Sequence, residues 1–183
     1  MPLTQLDAIP TLISIDLQKG ILTIPTVHPA AEIVSRTAQL ARAFRARKFP
    51  VVLVNVAGMA PGRSEAPRPK LNFPPDWTDL APELDAQPTD HRVTKHRIGA
   101  FIGTDLDQYL RQHNVTQIFL TGIATTFGVE STARSAHDLG YNVVFVTDAM
   151  TDRDADAHRN AIEKIFPRFG ETTSTSDLLS KLK

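Results

Sequence analysis

Four short runs along the chain are almost continuously apolar and rich in β-branched residues: 11–17 (TLISIDL), 50–56 (PVVLVNV), 116–122 (TQIFLTG) and 142–147 (NVVFVT). Strands buried on both faces of a parallel sheet have this texture, because neither face alternates with water. Two weaker runs, 91–95 (HRVTK) and 170–173, read as further strands, the second at an edge. Between the runs the period changes from two to 3.6. Ile33, Thr37, Leu40, Ala41 and Phe44 share one helical face. Helices are also predicted over 104–113 (Leu106 and Leu110 inward), 126–139 (Val129, Ala133 and Ala136 inward), 155–166 (Ala161, Ile162 and Ile165 inward) and 176–181, the last capped by Ser174 or Thr175.

Strands alternating with helices imply right-handed βαβ units. The expected fold is a three-layer α/β/α domain spanning residues 1–183, around a mostly parallel sheet of about six strands. Residues 58–90 break the pattern. They hold Pro61, Pro67, Pro69, Pro74, Pro75, Pro82 and Pro88, seven of the chain's 13 prolines. An excursion of this length is expected to pack beside a pocket mouth or to serve as a contact surface.

Composition narrows the function. At 183 residues the chain can bury a core without disulfides or a structural metal. Lys plus Arg and Asp plus Glu are both 20, a balance that argues against a nucleic-acid partner. Cys is absent, which removes disulfides, zinc–thiolate sites and any cysteine nucleophile. No apolar run is long enough for a membrane span. The start MPLTQLDAIP has no signal-peptide pattern, so a cytoplasmic protein is expected. The six His show no metal-ligand spacing, and no metal or cofactor is expected.

In open α/β sheets ligands bind beyond the carboxyl ends of the strands. The polar residues there are Asp16 and Gln18, Asn55, Lys95, the turn Gly122–Gly128, and Asp148. Asp16 follows three nearly apolar positions and needs a partner or a proton. Lys95 is a suitable partner. Asp148 fits a turn or cap better than a site. Gly128 falls in the first turn of a predicted helix, where glycine costs about 1 kcal/mol relative to alanine, so a ligand or backbone approaching closely is expected there.

These residues lie in four segments, LISIDLQKGI (12–21), VTKHRIGAF (93–101), TGIATTFGVESTARSAHDLGYNV (121–143) and VTDAMTDRDADAH (146–158). In order and spacing they resemble the isochorismatase-like hydrolase superfamily, whose fold is a six-stranded parallel sheet flanked by helices. The resemblance implies a homo-oligomer, a dimer or larger. Most members hydrolyse amides with an Asp–Lys–Cys triad. Asp16 and Lys95 match two of its positions, and Gly128 occupies the third. True isochorismatases also keep the Asp and Lys with glycine in place of Cys, and hydrolyse a vinyl ether without a covalent intermediate. They differ in carrying a His-Asp pair where this chain has Ile15-Asp16, and in the turn Ala124–Phe127. The resemblance further implies Gln18, Phe101, Ala124, Thr125 and Phe127 as substrate-binding residues, and a non-proline cis peptide at Ile123–Ala124. Two functions remain open: a hydrolase of a small polar molecule, with Asp16 or Lys95 as proton donor, or a ligand- or partner-binding member without catalysis.

Overall fold

The computed structural model describes residues 3–65 and 74–183. Six strands form one all-parallel sheet: β1 (Pro10–Ile15), β2 (Val51–Val56), β3 (His91–Lys95), β4 (Gln117–Ile123), β5 (Asn142–Thr151) and β6 (Glu171–Thr173). Their spatial order is β3-β2-β1-β4-β5-β6. The chain winds outward from β1 to one edge, returns, and winds from β4 to the other. The reversal lies between β1 and β4, the switch point at which doubly wound sheets open a crevice.

The continuous apolar runs follow from burial on both sides. On one face Ile13, Ile15, Val54, Ile118, Leu120 and Phe145 pack against α3 (Leu106–Gln112) and α4 (Glu130–Asp138), through Leu106, Leu110, Ala133 and Ala136. On the other, Leu12, Leu53, Phe119 and Val144 meet α2 (Ala30–Ala46) and α6 (Thr175–Lys181), through Ile33, Leu40, Phe44 and Leu178. The Ser174 side chain caps α6 by accepting from the Asp177 amide. The last helix before β6, α5 (Ala155–Asn160), runs on through a π-turn at 161–165 and a 3-10 turn at 166–168.

Several boundaries differ from the sequence reading. β5 continues to Thr151, because a register shift lets Gly122 pair with Met150 only two residues after Leu120 pairs with Phe145. Its polar end is therefore Asp152. Asp148 lies within the irregular stretch and accepts from the Thr175 amide and hydroxyl, a structural bond. The helix expected over 126–139 begins as a π-turn, Thr125–Val129, before α4. A four-residue helix, α1 (Lys19–Leu22), was not foreseen. It holds the described part of the Pro-rich excursion: the amides of Lys19 and Gly20 donate to the carbonyls of Asp79 and Trp77, and Leu17 accepts from Ala81. Pro67 and Pro69 lie outside the described residues. Among the described residues no helix is long and apolar enough to cross a membrane.

Candidate active site

The first residue past β1 is Asp16. Its amide continues the ladder to the Val54 carbonyl, and its φ of 54° then turns the chain left-handed. Aspartate enters this region more readily than most residues, at a cost of order 1 kcal/mol or more. The carboxyl group is buried, with Asp16 only 5% exposed. Lys95 ends β3, two strands away, and at 2% exposure its side chain spans the end of β2. Lys95 Nζ lies 2.7 Å from Asp16 Oδ2 and donates to the Arg97 carbonyl at 3.3 Å. Asp16 Oδ1 is buried without a hydrogen-bond partner among the described residues.

This asymmetry sets the electrostatics. Burial pushes the Asp16 carboxyl up to about 6, and the charge and hydrogen bond of Lys95 offset only part of that rise. A carboxyl group with one paired oxygen, one unpaired oxygen and such a midpoint can hold or release a proton near neutrality.

Gly128 comes to the same place from β4. Gly122 (φ 117°) permits the approach, since a Cβ there would run into the Ile15 carbonyl oxygen. The peptide Ile123–Ala124 is cis, and the π-turn follows. A Cβ on Gly128 would sit 3.4 Å from Asp16 Oδ2, so the position faces the carboxylate directly. It would also sit 2.9 Å from Ile15 Cγ2. The space above the pair is thus narrower than the sequence suggested, being shared with a packed methyl group.

Asp16, Lys95 and Gly128 are brought together, with Ala124 partly buried at the entry to the turn and Phe127 60% exposed at the surface. The remaining sequence candidates are committed elsewhere. Gln18 is fully buried: its amide nitrogen donates to the carbonyls of Val56 and Trp77, and its oxygen accepts from the Val56 amide. It braces the excursion against β2. Phe101 stacks on Tyr141, the residue before β5, at 6.1 Å between ring centroids. Thr125 is fully buried and bonded to His158 Nδ1 at 2.8 Å.

His158 and Asp152 were not singled out from the sequence. Asp152 Oδ2 accepts from the Thr126 amide (2.7 Å) and hydroxyl (2.8 Å). His158 had a readable signal: it shares the inward helical spacing of Ala161, Ile162 and Ile165. No group of three or more His, Cys, Asp or Glu side chains among the described residues could hold a metal ion.

The isochorismatase domain matches residues 10–177 of the chain. An uncharacterized isochorismatase family protein of Bacillus subtilis is 40% identical over 179 residues, 94% of this chain and 93% of its own length. The solved structure of an isochorismatase family protein from Burkholderia thailandensis superposes with a TM-score of 0.93 at 44% identity, covering 97% of both chains. Partial matches carry two named activities. A ureidoacrylate amidohydrolase of Pantoea ananatis is 38% identical over 109 residues, 58% of this chain and 44% of its own length. An isochorismatase of Bacillus subtilis is 32% identical over 115 residues, 63% of this chain and 37% of its own length.

Proposed function

The chain belongs to the isochorismatase family of hydrolases, and we propose that it cleaves a vinyl ether of a small polar molecule by general acid catalysis at Asp16, with no covalent intermediate. The observation that carries this reading is the buried Asp16 carboxyl, raised to about 6 while paired to Lys95 and apposed to Gly128. The amide-cleaving route named for one relative gains no support from this chain. The whole sequence contains no Cys, so a thioester has no sulfur to form on.

Vinyl-ether hydrolysis needs a proton and a water, and no nucleophilic side chain. Protonated Asp16 would deliver its proton to the terminal enol carbon, leaving an oxocarbenium ion. Water adds to that ion, the resulting hemiketal collapses to a ketone and an alcohol, and the proton released by the water restores Asp16. Lys95 would stabilise the carboxylate left after proton transfer. Lys95 as the donor, with Asp16 orienting it, is the variant of the same scheme.

The test is pyruvate release from isochorismate, run beside a panel of amides and esters. Asp16→Asn should lower turnover by tenfold or more with the fold intact, since a general acid contributes roughly 10²–10⁴. An unchanged rate would remove Asp16 from the mechanism. A second reading, a non-catalytic binding member, is favoured by the closure of the site: Asp16 and Lys95 are almost fully buried, and Ile15 Cγ2 crowds the space at Gly128. Absence of hydrolysis across the whole panel would select it.

A further inference from the structure

The π-turn that carries Gly128 lacks a cap of its own. Its N-cap residue is Ala124, which has no side chain able to accept from the turn's amides. The missing acceptors come from the stretch linking β5 to α5. Asp152, 5% exposed, places Oδ2 on both the amide and the hydroxyl of Thr126, while its Oδ1 takes the Arg153 amide. A carboxylate there also complements the positive end of the helix it caps. Six residues on, His158 Nδ1 meets the hydroxyl of Thr125, which has no exposed surface and hence no water as an alternative partner.

His158 is itself held. Its amide donates to the Asp154 carbonyl, and its ring lies 5.0 Å from that of His28, whose amide donates to Thr151 Oγ1 and whose Nδ1 bonds the same hydroxyl. Burial and His28 both keep the His158 ring neutral, against the smaller pull of Asp152. A neutral imidazole keeps one acceptor nitrogen. On the far side of the turn, Thr132 Oγ1 donates to the Gly128 carbonyl and accepts from the Ala100 amide. The turn is therefore fixed from two sides, and what it delivers is the backbone of Gly128 against Asp16 Oδ2.

We infer that His158 and Asp152 are positioning residues: through Thr125 and Thr126 they hold the turn 125–129 so that Gly128 closes over the Asp16 carboxylate. The inference rests on the reading of Asp16 as the reacting carboxyl group. Neither residue is placed to touch the reacting atoms. Their effect passes through the apposition of Gly128 and Asp16, which keeps water from the carboxyl group and sets where a substrate atom can stand.

The test uses the full chain with three variants. Thr125→Val removes the hydroxyl at nearly constant shape and so breaks the bond to His158 Nδ1. His158→Leu removes the ring nitrogen that the hydroxyl bonds. His158→Asn returns a hydrogen-bonding group near the Nδ1 position. The readouts are the Asp16 carboxyl titration, followed by carbon-13 NMR, and kcat and KM for isochorismate. Thr125→Val and His158→Leu should each move the Asp16 midpoint down by roughly half a unit or more, as the loosened turn admits water. They should lower kcat roughly tenfold or more while KM changes little, the pattern of a displaced site. His158→Asn should restore both readouts. A role in stability alone would leave the Asp16 midpoint of folded Thr125→Val unmoved, and that result overturns the inference. So would His158→Asn behaving as His158→Leu. If His158→Leu does not fold, the other two variants decide. If the midpoint moves as expected but the wild type cleaves no vinyl ether, the positioning role stands and the proposed reaction fails.

Discussion

Lys95 Nζ sits 2.7 Å from Asp16 Oδ2, yet the aspartate is held at a higher midpoint than a solvated carboxyl group. The two facts agree once burial is weighed. The cation stabilises the carboxylate, but only one oxygen benefits, and the other has lost water without gaining a donor. Sequence position alone explains how the pair forms. Asp16 follows β1 and Lys95 ends β3, so the two meet at the carboxyl edge of the sheet, next to the switch point between β1 and β4.

The pH dependence follows with a definite sign. If protonated Asp16 is the acid, kcat/KM should be flat below about 6 and fall tenfold per pH unit above it. Stability should follow the same proton. The native state binds it between the ordinary carboxyl value of 3.8 and about 6, where the unfolded chain has released it. The stabilisation is complete below 3.8 and is lost as pH rises through about 6, a change of about 3 kcal/mol. Urea midpoints measured from pH 4 to 7 should fall more steeply for wild type than for Asp16→Asn. Equal slopes would contradict a raised midpoint.

Removing the cation isolates its contribution. Lys95→Met keeps the length and burial of the side chain and deletes the charge, so the Asp16 midpoint should climb above 6. Carbon-13 NMR of the carboxyl group reads it directly. A midpoint that falls would mean that the burial of Asp16 depends on Lys95, contrary to the geometry.

A separate buried ion pair supports the fold away from the site. Arg45 on α2 meets Asp90 with two hydrogen bonds, Nε to Oδ1 at 2.9 Å and Nη2 to Oδ2 at 2.7 Å, and the Asp90 side chain is 1% exposed. This pair fixes α2 to the loop entering β3. Arg45→Ala would leave a buried carboxylate with, among the described residues, the Gln87 amide as its remaining donor, at a cost of about 3–5 kcal/mol. Urea unfolding checks this, and a loss below about 1 kcal/mol would class the pair with exposed ones.

The sheet was legible because parallel strands buried on both faces leave continuous apolar runs, as in PVVLVNV and TQIFLTG. Asp16 and Lys95 were legible because polar residues ending such runs fall at the ligand-binding edge. The parts that were not legible depend on tertiary partners. The register shift between β4 and β5 leaves no local mark, so the polar end of β5 moved from Asp148 to Asp152. Gln18 and Phe101 sit in the right segments, but their side chains are taken by Val56, Trp77 and Tyr141, contacts between residues far apart in sequence. His158 gave a helical-spacing signal, but only the fold reveals that its ring reaches Thr125.

Apolar exposure leads to an expectation about assembly. Met59, Ile98, Ile102 and Phe127 are all more than a third exposed, and they lie in loops or turns after β2, β3 and β4. The loop after β3 approaches the start of α4, since a Cβ on Gly99 would touch Ser131. All four follow the carboxyl ends of their strands, and a contiguous apolar patch there would suit association. A dimer or larger homo-oligomer is expected by light scattering at micromolar concentration, weakened by Phe127→Asp. A monomeric mass for wild type would refute it.

Gly128 gives the sharpest test of what the site requires. A methyl group there would meet Ile15 Cγ2 at 2.9 Å, so Gly128→Ala must displace a β-branched side chain anchored in the core, at a cost of about 1–3 kcal/mol. The same methyl would lie 3.4 Å from Asp16 Oδ2, displacing whatever approaches the carboxylate from that side. The midpoint of Asp16 should therefore rise further, and turnover should fall more than stability accounts for. Gly128→Cys adds a thiol beside Lys95, whose charge favours the thiolate. That variant should become sensitive to iodoacetamide, whereas the wild type, having no Cys, should be untouched by it. Loss of vinyl-ether cleavage in Gly128→Ala, with the fold retained, would mean that the glycine keeps space for substrate or water. Full activity in Gly128→Ala would mean that Ile15 can yield at no catalytic cost, and that the glycine serves packing alone.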